Sequence, residues 1–461
     1  MVRSNCKRRS YLSFNYLYRM RKDIMTSKTF ARADFDRQLR QLSSPAELAT
    51  LLNGVLPALG SAVCRPAQLR FFADTANIGR RTRTFRLRKK HGGYREIIAP
   101  KGAFADISRA LYTVLRTFDE PTPWACGFVR GRSVVDNARP HVGKRYVLSL
   151  DLKDFFPSIT RQQVADCLAA EPFGFSPGAV ELVSGLCTAR LDGQDVLAQG
   201  FATSPILSNF VCRKMDEQLA ELAGQQAVTY TRYADDLTFS SDADVLRPTG
   251  EFEQRVEDIV RSHGFELNSS KTHLQRRGRR QAVTGLMVTT KVNVARRYVR
   301  QVRSQLYIWE RYGYAEACSA AWKHYRQQHG KTKGQGHFVN LDAVLRGKLN
   351  YLKMVRGAED ALYQRLQNRY DRLRAKDQSA IVHAVRRAYA ESYEAKQGKH
   401  GRQSWLTAGS KPTSAPAEER YRAGSIDNPL PAEGSWGGVK RILKIALWVA
   451  ALAAVAYFLL H

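Results

Sequence analysis

Residues 228–240 read VTYTRYADDLTFS, from Val228 to Ser240. Two runs rich in β-branched and aromatic residues flank Ala234-Asp235-Asp236, the pattern of a β-hairpin with an acidic pair at its tip. Such a pair is costly on a tight turn, because adjacent carboxylates repel unless a cation offsets them. Upstream, RYVLSLDLKDFF (Arg145 to Phe156) alternates apolar residues into Asp151 and predicts a strand that ends where side chains meet solvent. Between the two, Thr160 to Ala170 and Val211 to Leu222 have apolar residues three and four apart and predict helices. Strand, helix, helix, hairpin is an α+β order. Downstream, Val294 to Tyr312 and Ala358 to Tyr393 predict basic helices, with Asn293 a candidate cap for the first. No internal repeat is evident.

The 461 residues allow several domains, and 73 Lys+Arg against 42 Asp+Glu leave a net charge of +31. An excess of that size needs a polyanion, and nucleic acid is the leading partner. With 44% hydrophobic residues the charge sits on a folded protein, which excludes a disordered basic tail. The basic runs Arg80–Lys90, Arg276–Arg280 and Arg296–Arg303 are interleaved with Phe85, Tyr94 and Tyr298, a composition suited to phosphate backbones and bases. The seven cysteines are scattered without a CxxC pair, which argues against a zinc site or disulfide framework and for a reducing compartment.

Asp151 with Asp235 and Asp236 supplies a set of hard oxygen ligands. Two-metal nucleotidyl transfer uses such a set to hold the ions that activate the attacking hydroxyl and neutralise the leaving pyrophosphate. At these residues the chain resembles the reverse transcriptases. Tyr233-Ala234-Asp235-Asp236 matches their YxDD motif and Asp151 to Phe156 their first catalytic motif. Gln199-Gly200 with Thr203-Ser204-Pro205 and Leu207-Ser208-Asn209 resembles their nucleotide-facing loop, although Ala198 stands where the family usually has proline. Residues 264–272 (GFELNSSKT) resemble the motif after the hairpin, and Phe85 to Pro100 the fingers hairpin. The resemblance implies a right-hand polymerase fold of fingers, palm with an antiparallel sheet, and helical thumb. It further implies two Mg2+ ions held by Asp151, Asp235 and Asp236, and deoxynucleoside triphosphates as substrates. Arg95 would reach the triphosphate, Phe156 would exclude a 2′-hydroxyl while also packing in the core, and Lys271 would be a candidate proton donor to pyrophosphate.

Within that family the chain is most similar to bacterial retron enzymes. Asn137-Ala138-Arg139-Pro140-His141 fits their NAxxH element and Val283-Thr284-Gly285 their VTG element, while a lone His141 would otherwise read as a core histidine. Residues 345–357 (LRGKLNYLKMVRG) resemble their thumb. The resemblance implies a structured non-coding RNA as template and primer, a short branched RNA-linked DNA product, and a role in anti-phage defence. No ribonuclease H domain is recognisable, so a host ribonuclease H is the expected remover of template. A group II intron-like or other defence-associated reverse transcriptase is the alternative, followed by a membrane-anchored RNA-binding scaffold.

The sequence suggests a basic N-terminal helical extension (1–60), fingers (61–145), palm (146–290), helical thumb (291–398), flexible linker (399–438) and transmembrane helix (439–461). Ile445 to Leu460 contains sixteen uncharged, mostly apolar residues preceded by Lys440, Arg441 and Lys444. These features predict one pass of the bacterial inner membrane with the catalytic part cytoplasmic, the segment serving as an effector or as an anchor.

Overall fold

In the computed structural model, residues 40–88, 92–329 and 339–386 are described, and they divide between Lys291 and Val292 into two units. The expected linker and transmembrane helix, and residues 1–39 of the expected extension, lie outside the described residues. Among the described residues no helix is long and apolar enough to cross a membrane.

The strands of the first unit are β1 (Thr82–Arg88), β2 (Tyr94–Pro100), β3 (Tyr146–Asp151), β4 (Thr188–Leu191), β5 (Gln194–Leu197), β6 (Thr229–Tyr233), β7 (Asp236–Ser241), β8 (His273–Arg276), β9 (Ala282–Val283) and β10 (Leu286–Met287). Its main helices are α1 (Pro45–Val55), α2 (Pro66–Ala73), α3 (Ala103–Leu115), α4 (Val134–Ala138), α5 (Arg161–Ala169), α6 (Pro177–Cys187), α7 (Ser204–Val211), α8 (Arg213–Gln225) and α9 (Glu251–Ser262). A four-stranded antiparallel sheet, in the order β6-β7-β3-β8, forms the centre. The hairpins β1–β2 and β4–β5 are separate two-stranded sheets.

Alternation decides which face of the sheet is covered. Tyr230 on β6 pairs with Phe239 on β7, and their rings stack at 4.9 Å over the core. Helix α9 closes that face with Phe252, Val256 and Val260, a four-residue repeat on an otherwise charged helix. Helix α5 starts where Thr160 and Gln163 form a reciprocal capping box, and α6 starts at Ser176 with Pro177 in its first turn. Helix α1 has its own capping box, Ser44 with Glu47, and buries Leu48 and Leu52 in the main core. The described part of the expected extension is therefore built into the first unit, because its apolar stripe needs a partner surface.

Among the described residues the main helices of the second unit are α10 (Arg296–His329), α11 (Leu341–Arg356) and α12 (Ala361–Lys376). Helix α10 kinks at Gly313, whose φ of 84° an L side chain rarely adopts. Val302, Leu306, Trp309, Leu345, Leu349 and Leu366 fill the space between the helices. The expected start of α10 is corrected. The helix begins at Arg296, and Asn293 does not cap it, because its side-chain oxygen accepts from Val294 N at 2.9 Å and from Arg356 Nη1 at 2.7 Å. The last expected helix likewise begins at Ala361, capped by Asp360, rather than at Ala358.

Candidate active site

Four backbone contacts hold the acidic residues together. The β6–β7 hairpin turns through two residues, with Tyr233 paired to Asp236 and Ala234 at φ 59°. Positive φ in a two-residue hairpin matches the twist of its strands, at a cost for a residue with a Cβ. Strand β3 runs antiparallel beside it, in a register that sets Asp151 opposite Asp236. Beyond Asp151 the chain stays pinned, because Leu152 N donates to Asp235 O at 2.9 Å and Asn268 N donates to Asp151 O at 2.7 Å. The strand ends at Asp151, and three residues on Asp154 adopts a φ of 44°.

Asp151, Asp235 and Asp236 thus face one another's charge. Burial, then repulsion from Asp151, raises the Asp235 carboxyl, while Lys271 and Arg95 pull it back. Crowding by protein atoms, then repulsion from Asp235 and Asp151, pushes Asp236 up to about 7. Asp236 is nevertheless open to water at the hairpin tip, which screens part of that push. Lys271 supplies the counter-charge: its Nζ donates to both carboxylate oxygens of Asp151, at 2.8 and 2.9 Å. The lysine read from the sequence as a proton donor is therefore ion-paired to Asp151 here.

Among the described residues no three acidic, imidazole or thiol groups converge as a ready-made metal cage. The donor set still fits a hard divalent cation, since three oxygen donors repel one another and the contacting counter-ion is one lysine.

The other residues picked for nucleotide binding lie on β2, on the loop before α7 and after β3. Arg95 lies on β2 opposite Leu87 and acts on Asp235 through its charge. Gln199 O accepts from Ile98 N at 2.9 Å, which fixes β2 against the loop before α7. Gly200 sits so close that a Cβ there would fall 2.7 Å from Ile98 O. Phe156 is half-buried, with ring centroids 5.2 Å from Phe155 and 6.0 Å from Phe128.

Residues 87–302 match the family described as "Reverse transcriptase (RNA-dependent DNA polymerase)". The chain is 41% identical over 241 residues to the retron Mx65 reverse transcriptase of Myxococcus xanthus, covering 49% of this chain and 55% of that one. It is 35% identical over 283 residues to the retron Mx162 reverse transcriptase of the same organism, covering 54% and 57%. To the retron Ec83 reverse transcriptase of Escherichia coli it is 30% identical over 235 residues, covering 49% of this chain and 74% of the relative. The chain belongs to the retron reverse transcriptase family. It spans about half the length of the Myxococcus relatives that it matches.

The two elements that resemble those of retron reverse transcriptases meet in the structure, largely through buried side chains. Asn137, Ala138 and His141 are fully buried, and Val283 nearly so. His141 bonds Ser240 Oγ through Nδ1 at 2.6 Å and Thr231 Oγ1 through Nε2 at 2.8 Å, bracing β6 to β7. Burial, with Lys144 nearby, lowers it to about 3, so the ring is neutral at physiological pH. Asn137 Nδ2 donates to Thr284 Oγ1 at 3.5 Å, and Thr284 in turn donates to Val134 O at 3.4 Å. Thr284 and Gly285 carry the left-handed turn between β9 and β10. Asn137, His141 and Thr284 thus form a brace behind the hairpin.

Sequence reasoning missed two supports of the YADD turn. Arg232 is fully buried and holds Asp216 of α8 through two parallel bonds of 2.8 and 2.7 Å, while its Nη1 donates to Ala234 O at 3.2 Å. A usable signal was the alternation Val228, Tyr230, Arg232, which puts Arg232 on the inward face. The second support is Gly127, where a Cβ would come within 2.5 Å of Ala234 N. Gly127→Ala should therefore push the turn out of place, costing about 1–3 kcal/mol of stability. Nucleotide addition should fall about a hundredfold, since misplacement by roughly 1 Å suffices for that. Chemical denaturation and steady-state kinetics read both effects, and near wild-type kinetics would show that the turn tolerates the displacement.

Proposed function

We propose that the chain is an RNA-directed DNA polymerase that adds deoxynucleotides at the cluster of Asp151, Asp235 and Asp236. The observation that carries this reading is the pairing of β3 with the hairpin, which gathers three mutually repelling carboxylates in a chain of net charge +31. Asp151 and Asp235 would hold two Mg2+ ions, and Asp236 would complete the acidic set. Bound there, the ions supply acidification of the attacking hydroxyl and neutralisation of the pyrophosphate. Arg95 would bind the triphosphate with its planar guanidinium. Lys271, released when Asp151 takes up another cation, would hold the departing pyrophosphate and give it a proton. The Phe156 ring would lie where a ribose 2′-hydroxyl would project.

The test is extension of an oligo(dT) primer on poly(rA) with dTTP and Mg2+, where template-dependent product is expected and its absence would refute the reading. In the same assay Phe156→Ala should weaken discrimination between dUTP and UTP by about tenfold or more, the order expected for loss of one packed apolar contact. Unaltered sugar selectivity would remove Phe156 from that role.

Metal linkage gives a further check. A carboxyl raised from 3.8 towards 7 favours the folded state in its protonated form, so this contribution is lost as pH rises through that window. Mg2+ neutralises the ionised cluster, so its increase in Tm should be larger at about pH 8 than at about pH 5. An equal increase at both pH values would place Mg2+ elsewhere.

Family membership supports the finer reading. The template and primer would be a structured non-coding RNA, and the product a short branched RNA-linked DNA freed of template by a host ribonuclease H. The apolar run of residues 445–460 supports attachment to the bacterial inner membrane with the catalytic part cytoplasmic, the segment serving as an effector in anti-phage defence or as an anchor.

A further inference from the structure

In the second unit, α10 and α12 face each other across a groove of about 510 Å3. Arg300, Arg303 and Tyr307 line it from α10, three and four residues apart and so on one face of the helix. Leu362 lines it from α12, with Arg365 and Leu366 three and four residues further on. Arg300, Arg303 and Arg365 are exposed, and among the described residues none of them pairs with a carboxylate. Arg369, at the same groove, is already paired with Glu310. The Tyr307 ring is 53% exposed, whereas Leu366 is buried in the floor.

Two chemistries coexist there. Unpaired arginines demand an anion, and a duplex backbone alone would satisfy them. The apolar floor and the exposed tyrosine demand instead a flat, weakly hydrated ring, which a duplex keeps inside its stack. A single unpaired nucleotide meets both demands, since its base stacks on an aromatic ring while its phosphates reach arginine. The volume lies in the range of small-ligand sites.

We propose that this groove binds one unpaired nucleotide of the RNA, with its base on Tyr307 and the leucines and its flanking phosphates on Arg300, Arg303 and Arg365. The inference rests on the proposed polymerase function, which supplies the RNA, and adds a subsite to it. The groove would then register the enzyme on a folded RNA by a bulge or loop residue, a selection that backbone contacts cannot make.

The test uses the full chain and two labelled RNA hairpins with the same stem, one fully paired and one with a single bulged 2-aminopurine. Wild type should bind the bulged hairpin about tenfold more tightly, in line with the worth of one base on one aromatic ring. Its 2-aminopurine fluorescence should be quenched. Tyr307→Ala should erase the preference without weakening the paired hairpin, Tyr307→Phe should keep it, and Arg303→Ala/Arg365→Ala should weaken both hairpins. Equal wild-type affinity for the two hairpins, or a preference that survives Tyr307→Ala, overturns the proposal. Extension of oligo(dT) on poly(rA) by the same preparations reads the catalytic proposal separately, so a failed groove with intact extension sinks the groove alone.

Discussion

Asp235→Asn should lower deoxynucleotide addition by about a thousandfold or more while leaving the protein as stable as wild type, or more so. The loss follows from removing one anionic ligand where several kcal/mol of transition-state charge stabilisation are delivered, at about 1.4 kcal/mol per tenfold in rate. The retained stability follows from the same electrostatics with the opposite sign. Asp235 is raised by burial and by Asp151, so in the metal-free protein at neutral pH its ionised form opposes folding. Asparagine keeps the shape and removes the repulsion. Kinetics and thermal melting on one preparation distinguish this from a damaged fold: loss of both activity and stability would mean that Asp235 is structural, and retained activity would take the chemistry away from this cluster.

Asp216→Ala should destabilise the first unit by about 3–5 kcal/mol, although Asp216 is far from the surface and contacts no substrate. Arg232 and Asp216 are both fully buried, and each carboxylate oxygen receives one guanidinium bond. Burial pulls the Arg232 guanidinium down, but Asp216 holds it above its ordinary value. Tyr230 also donates its hydroxyl to Asp216, at 2.8 Å. Alanine leaves a buried cation, a buried phenol and a cavity together. The damage should spread to the YADD turn, because Arg232 also donates to Ala234 O. Urea denaturation of wild type, Asp216→Ala and the double variant Asp216→Ala/Arg232→Met measures this. The double variant should recover part of the loss, since it removes the stranded charge; no recovery would show that packing rather than charge sets the cost.

Features written in local periodicity could be read without coordinates. Alternation around Asp235-Asp236 foretold β6 and β7, and the apolar repeat of Val211 to Leu222 foretold α8. Clustered carboxylates were legible because their repulsion needs a compensating ligand, wherever the chain brings them together. Non-local partnerships were not legible. Lys271 is 120 positions from Asp151, and Arg232 is 16 from Asp216, and nothing in either segment alone names the other. His141 shows the reverse limit: the pattern around it marked it as distinctive, whereas its two hydroxyl partners make it a neutral strut. Asn293 looked like a cap because its residue type suits one, yet Arg356 competes for the same oxygen.

The most direct measurement of the polymerase and its product is made on protein expressed with its native flanking DNA. Nucleic acid that copurifies with wild type and with Asp235→Asn/Asp236→Asn is resolved on a gel before and after RNase treatment and debranching. A short single-stranded DNA present only with wild type, and shifted by debranching, is the predicted result. RNA alone, or the same pattern from both proteins, would contradict it.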